Sequence, residues 1–305
     1  MIKIVFQTAL SLQGITRDVE MEDLSTAITF SGGEEHIHLK TKPLQSHTRV
    51  DIYARLDSSK AIIQLIMVTD AIRRMYNNID KDIVINLWMP YIPYARQDRV
   101  CDSGDAFSLH TFCGIINSMK YGRVYVADSH SYVATALLER CIETYQFELA
   151  YPMVQFITHR MPESDRPNYK YVVAPDEGAS KKAKLFAREL RVYHNEEIIE
   201  VQALKLRDKV GKIIDTQVLH DNFEGADVLM VDDICDGGGT FNALADVLLK
   251  LNAGRIGLYV THGIFSRGIQ VLNDAGIVDV YTTDSFGQEK NPTANVIHSF
   301  FNYQI

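Results

Sequence analysis

Residues 227–240 read Asp-Val-Leu-Met-Val-Asp-Asp-Ile-Cys-Asp-Gly-Gly-Gly-Thr, and no other stretch restricts the fold of this chain as tightly. The apolar run Val228–Val231 has the length and composition of a buried strand of the kind found in parallel sheets. Two adjacent carboxylates, Asp232 and Asp233, follow it, then Asp236, the glycines Gly237, Gly238 and Gly239, and the hydroxyl of Thr240. The next segment, Phe241–Leu251, carries apolar residues at helical spacing. Strand, acidic pair, glycine loop and helix, in that order, present a ribose and its phosphate at the carboxyl edge of a parallel sheet. Carboxylates accept from ribose hydroxyls, which a loop built for phosphate alone does not need. Glycines let backbone N–H groups close on phosphate oxygens, and the helix N-terminus adds a favourable dipole.

The same alternation runs through the rest of the chain. In the first half, Met1–Phe6, Val50–Ala54, Ile83–Met89 and Arg123–Ala127 read as strands, with helices over Ser58–Asn77 and Phe107–Met119. In the second, Tyr171–Ala174, Ile198–Leu204, Val228–Val231 and Ile256–Val260 read as strands, with helices over Ala179–Leu190 and after the last two. Strands alternating with helices predict parallel sheets with ligands at their carboxyl ends. The polar, proline-bearing segment Tyr151–Tyr169 is the expected boundary, giving domains over 1–150 and 151–305.

Five motifs, in order along the chain, carry a family resemblance. Val231-Asp232-Asp233-Ile234-Cys235-Asp236-Gly237-Gly238-Gly239-Thr240 resembles the phosphoribosyl-pyrophosphate (PRPP) loop of the type I phosphoribosyltransferase-like fold. Pro90-Tyr91-Ile92-Pro93-Tyr94-Ala95-Arg96-Gln97-Asp98-Arg99 resembles the nucleotide-binding segment of ribose-phosphate pyrophosphokinase, the PRPP synthetase, and has no equivalent in simple phosphoribosyltransferases. The remaining matches are Val126–His130, Val173–Gly178 and Thr261–Ser266. The resemblance covers nearly the whole chain. It implies an α/β chain of two tandem phosphoribosyltransferase-like domains, each a mostly parallel sheet flanked by helices.

The implied reaction moves the β,γ-diphosphoryl group of ATP to the C1 hydroxyl of ribose 5-phosphate and releases AMP. Such a transfer asks mainly for positioning and for cations around the migrating charge. Magnesium is the implied cofactor, bridging ATP phosphates. His130 matches the family's histidine beside the metal-nucleotide, and Asp176 the aspartate on the metal or ribose side. A strand-end histidine also commonly caps the next helix, and an aspartate after Pro175 is a common N-cap. Lys205 and Arg207 match the mobile catalytic loop; alternation on an extended hairpin puts both on one face. Arg96 and Gln97 are expected to engage ATP, while Asp98 and Arg99 suit a local ion pair. Phe30-Ser31-Gly32-Gly33-Glu34 resembles the adenine-binding turn, in which an aromatic stacks on the base. The resemblance thus assigns Phe30, Gly32, Glu34, Arg96 and Gln97 to ATP, and Asp232, Asp233, Asp236 and residues 237–240 to the ribose phosphate.

Three departures from the family pattern stand out. Gly32 replaces an aspartate or asparagine, the N-terminal Phe-x-Gly is absent, and Gly237 replaces a threonine in Asp-Thr-x-Gly-Thr. Loss of the threonine removes a hydroxyl donor and volume from the 5-phosphate pocket, which suits either plain ribose 5-phosphate held by backbone N–H groups or a larger 5-substituted ribose such as ADP-ribose. A third reading, a non-catalytic subunit associated with active synthetases, is opposed by the presence of His130, Asp176, Lys205, Arg207 and the acidic pair. The closing segment after Phe286 also departs from the family's usual final helix.

The formal net charge of −8 and the lack of a basic run argue against nucleic acid as a partner. Met1–Phe6 is too short for a signal peptide or a membrane span. Cys101, Cys113, Cys141 and Cys235 lack metal-type spacing and read as reduced thiols of a cytoplasmic protein, with Cys235 a small filler inside the loop. The resemblance further implies a homo-oligomer, dimer or hexamer, acting on small molecules.

Overall fold

Short β-branched runs form strands, and the amphipathic segments between them form helices, throughout the computed structural model, which describes residues 1–8, 19–23, 27–194, 197–207, 213–287 and 294–301. These fall into two units, Met1–Thr144 with Phe301, and Tyr145–Phe300. The first contains β1 (Ile2–Thr8), β2 (Val19–Asp23), β3 (Ile28–Thr29), β4 (Glu35–His36), β5 (His47–Ala54), α1 (Ser59–Asn77), β6 (Val84–Trp88), α2 (Ser108–Ser118), β7 (Val124–Ala127), α3 (Tyr132–Leu137) and β8 (Cys141–Thr144). Its six-stranded sheet has the order β2-β1-β5-β6-β7-β8. Strands β5 to β8 are parallel, and β1 runs antiparallel to both neighbours.

Helix α1 shows why the periodic segments fold as they do. Leu65, Val68, Ile72 and Tyr76 repeat at helical spacing and are fully buried against the sheet. Each such side chain contributes about 1.5–3 kcal/mol on burial. The N-cap, Ser58 Oγ accepting from the Ala61 N–H at 3.2 Å, is worth about 1 kcal/mol. The cap therefore fixes where the helix starts, while the apolar stripe decides that it forms. Phe301 belongs to this unit through the Arg55 guanidinium, 4.7 Å above its ring, and through Lys3 Nζ, which donates to its carbonyl at 3.4 Å.

The second unit opens with a 3₁₀ turn over Gln146–Leu149 and continues through α4 (Ala150–Arg160), β9 (Tyr169–Ala174), α5 (Glu177–His194), β10 (Ile199–Arg207), β11 (Ile213–Val218), β12 (Asp227–Cys235), α6 (Gly239–Lys250), β13 (Ile256–Gly263), α7 (Gln270–Asn273), β14 (Ile277–Thr283) and β15 (Asn295–His298). The seven-stranded order is β11-β10-β9-β12-β13-β14-β15, and β10–β11 is its antiparallel pair. From β9 the chain steps to β10 on one side, and β12 then returns on the other. This reversal makes the carboxyl ends of β9 and β12 a topological switch point, where open parallel sheets form a ligand crevice.

Two boundaries differ from the sequence reading. The units divide between Thr144 and Tyr145 instead of within 151–169. The front of that segment is α4, whose Met153, Val154 and Ile157 are buried. Pro152 hides the helix in the sequence, but in the first turn its missing N–H breaks no helical hydrogen bond. Strand β12 also runs on to Cys235, so Asp232 and Asp233 belong to the strand itself. Among the described residues, no helix is long and apolar enough to cross a membrane.

Candidate active site

In the second unit the predicted acceptor residues meet at the switch point. Met230 of β12 pairs with Val173 of β9, so Asp232 follows where β9 ends and the Pro175-Asp176 turn begins. Asp233 is 5% exposed, with Lys182 Nζ of α5 3.9 Å from its Oδ2. Asp232 Oδ1 accepts from the Asp233 N–H at 2.9 Å, and buried Gln146 donates to the Asp232 carbonyl at 2.6 Å. Burial first, then the charge and hydrogen bond of Asp233, and more weakly the charge of Asp176, push the Asp232 carboxyl well above the usual range. A carboxyl held this way is relieved by hydroxyl donors.

The glycine loop turns directly into α6. Gly238, the N-cap, sits at φ 77°, and a Cβ there would lie 2.8 Å from Leu272 Cδ2, so the backbone itself demands glycine. Asn242 N–H donates to the Gly238 carbonyl at 2.9 Å, the first bond of the helix. The N–H groups of the first turn therefore have no helical acceptor and are available to an anion. Nothing lies within 4 Å of a Cβ built on Gly239, which leaves the helix start open to a ligand. The buried Cys235 thiol is pushed up to about 12 by burial and by Asp232 and Asp236, which suits a filler and not a nucleophile.

Asp176 does cap α5: its Oδ1 accepts from the Ala179 N–H at 3.1 Å. The side chains of Lys205 and Arg207 lie outside the described residues. Their backbone belongs to the β10–β11 ladder, opposite Thr216 and Ile213. The pairing of β10 with β9 ends at Gln202–Ala174, so Lys205 and Arg207 stand on an arm that passes the carboxyl edge. A register shift between Leu206 and Arg207 interrupts the strict alternation on which the same-face expectation rests.

In the first unit, the predicted nucleotide residues also gather at the carboxyl edge. The segment after β6 is folded by the Gln97 N–H bond to the Tyr94 carbonyl at 2.9 Å, and Arg96 and Gln97 are exposed on it. It is joined to the turn after β7 by the Ala127 N–H donating to the Pro90 carbonyl at 2.9 Å. That turn carries buried Asp128, at φ 39°, then Ser129 and exposed His130. Glu143 Oε1 accepts from both the N–H and the hydroxyl of Ser129, at 2.8 and 2.6 Å, and so fixes the turn. Ser131, not His130, is the N-cap residue of α3. Arg99 and Asp98 form the local ion pair, at 3.6 Å.

The β3–β4 hairpin holds Phe30 at its tip, 51% exposed, with Gly32, Gly33 and Glu34 completing the turn. Glu35 anchors it. Its carboxylate accepts from Gln64 and Thr29, both at 2.8 Å, and lies 3.4 Å from Lys60 Nζ. The hydrogen bond from Gln64, then that from Thr29, lower the Glu35 carboxyl below its ordinary range. Because Lys60 and Gln64 lie in the first turns of α1, which follows β5, the hairpin sits at the carboxyl edge too. A Cβ on Gly32 would come 3.1 Å from Glu34 Oε2, so that carboxylate occupies the space beside the missing side chain.

His130 belongs to the first unit and Asp176 to the second, so neither sheet by itself holds both predicted metal residues. Among the described residues, no three His, Cys, Asp or Glu side chains are grouped to hold a metal ion. The Asp176 carboxylate nonetheless fits magnesium, which takes one or two such ligands and completes its shell with phosphates and water. The sequence reading missed Glu35, Glu143, Gln146 and Lys182, which orient site residues through tertiary pairing and leave no local pattern.

Residues 160–304 match the family model described as the phosphoribosyl transferase domain. The chain is 26% identical over 243 residues to a ribose-phosphate pyrophosphokinase of Pyrococcus furiosus, covering 78% of this chain and 77% of that one. A ribose-phosphate pyrophosphokinase of Sulfurisphaera tokodaii is 24% identical over 261 residues, covering 85% and 84%. The phosphoribosylpyrophosphate synthetase of Mycobacterium smegmatis matches in fold with a TM-score of 0.70 at 19% identity, over 89% of this chain and 85% of that structure.

Proposed function

We propose, for a chain that belongs to the ribose-phosphate pyrophosphokinase family, that it is a diphosphotransferase acting on ATP and a ribose acceptor phosphorylated at C5. The observation that carries this reading is the acidic pair Asp232–Asp233 at the switch point, followed at once by a glycine loop on a helix N-terminus. A carboxylate held above its usual range is well suited to accept from ribose hydroxyls, since that contact relieves its unfavourable charge. Residues 237–240 and the first turn of α6 take the 5-phosphate. Phe30 stacks on the base, with Glu34, Arg96 and Gln97 on the nucleotide.

In the reaction the C1 oxygen of the ribose attacks the β-phosphorus of ATP. The bond from that phosphorus to the bridging α,β oxygen breaks, AMP departs, and the hydroxyl proton is lost. Lys205 and Arg207 stabilise the charge on the migrating diphosphoryl group, and His130 positions the nucleotide phosphates. Asp176 and His130 are the residues that would hold magnesium, which would supply neutralisation of phosphate charge. Ribose 5-phosphate is the acceptor favoured here. The larger acceptor, ADP-ribose, stays in play because Gly237 has no positive φ and its backbone does not require glycine. Phosphorus NMR of the products tests the chemistry. AMP and a new sugar diphosphate are expected in equal amounts, whereas formation of ADP would replace diphosphoryl transfer with simple phosphorylation.

A further inference from the structure

Gly237 faces Arg267. The three nearest atoms to a Cβ built on it all belong to Arg267, with Nε at 3.5 Å, Cδ at 3.6 Å and Cγ at 3.8 Å. Arg267 lies on the turn after β13, and that turn is bonded to the phosphate loop. The N–H groups of Ile264 and Phe265 donate to the Cys235 carbonyl at 2.9 and 3.1 Å, and Ser266 N–H donates to the Asp236 carbonyl at 3.1 Å. The Arg267 stem thus runs along the face that Gly237 leaves bare. A Cβ at 237 would lie at ordinary van der Waals distance from this stem, and a β-branched residue would add two more heavy atoms beside it. Arg267 is exposed, and no described residue forms an ion pair with it.

We infer that Arg267 is a phosphate-binding residue of the acceptor site, its stem lying along the side that glycine at 237 leaves without a side chain. A guanidinium offers paired donors that match phosphate oxygens, so it replaces a hydroxyl donor with a charged fork at the rim of the loop. The group recognised is a phosphoryl on C5 of ribose, whether terminal or the first phosphate of a diphosphate bridge. The inference rests on the acceptor reading above, and calorimetry without ATP tests it separately from turnover.

Ribose 5-phosphate, ADP-ribose and unphosphorylated ribose would each be titrated into the wild type, Arg267→Ala and Arg267→Lys. Arg267→Ala is expected to weaken ribose 5-phosphate or ADP-ribose about 10- to 100-fold, to leave ribose unchanged, and to be partly rescued by lysine. Unchanged affinity for both phosphorylated ligands in Arg267→Ala would overturn the inference. Weakened binding in a protein that releases no AMP would sustain the phosphate site and defeat the diphosphotransferase reading. Normal AMP release with unaltered affinity would do the reverse.

Discussion

The carboxyl of Asp232 is buried beside Asp233 and feels the charge of Asp176, and each effect favours its protonated form. Its folded pKa therefore lies above the unfolded value of about 3.9. Between the two values the native chain keeps a proton that the unfolded chain has released, so this residue makes stability fall as pH rises through that window. Asp232→Asn removes the titration. Its melting temperature is expected to exceed that of the wild type at about pH 8, with the margin narrowing towards about pH 4. A margin independent of pH would contradict the assignment. The same substitution should raise the acceptor KM about tenfold or more while leaving the ATP KM alone, because the amide offers a ribose hydroxyl one acceptor oxygen in place of two. That opposition, a more stable but poorer enzyme, is the signature of a carboxylate held for binding.

At the scale of elements, Asp176 joins structure to function through α5. Asp176→Ala should destabilise the chain by about 1 kcal/mol through loss of the cap to Ala179. Asp176→Asn keeps a capping oxygen and should melt like the wild type, yet lose turnover; equal turnover would reduce Asp176 to a cap. On the β10–β11 arm, Lys205→Ala is expected to lower turnover about 10²- to 10³-fold with ATP binding nearly intact, and near-normal turnover would remove the arm from the mechanism. Glu35→Ala should loosen the nucleotide hairpin and raise the ATP KM without changing the acceptor KM. Helices α1, α2, α5 and α6 were legible because their apolar faces repeat over several turns. The two-residue β3 and β4, the mixed Cys-Ile-Glu-Thr of β8 and the four-residue β15 carry too little pattern and owe their form to sheet partners, whereas β14, Ile-Val-Asp-Val-Tyr-Thr-Thr, carries a strand pattern that the sequence reading passed over. The candidate site was more legible than its supports. Asp232 and residues 237–240 form a local motif, whereas Glu35 on Gln64, Glu143 on Ser129 and Arg267 on Gly237 are juxtapositions made only by folding.

For the molecule as a whole, two units each bring their motifs to the carboxyl edge of a mostly parallel sheet, the first with the proposed nucleotide motifs and the second with the proposed acceptor motifs. The proposal that the chain acts as a homo-oligomer is checked by light scattering after size exclusion, where a monomer mass would contradict it. Diphosphoryl transfer is measured by AMP release from ATP and Mg²⁺ with ribose 5-phosphate and, separately, ADP-ribose. AMP is expected to depend on a 5-phosphorylated ribose acceptor, with ribose 5-phosphate the better one. AMP chiefly with ADP-ribose would keep the chemistry and move the acceptor, and no AMP with either would refute the diphosphotransferase reading.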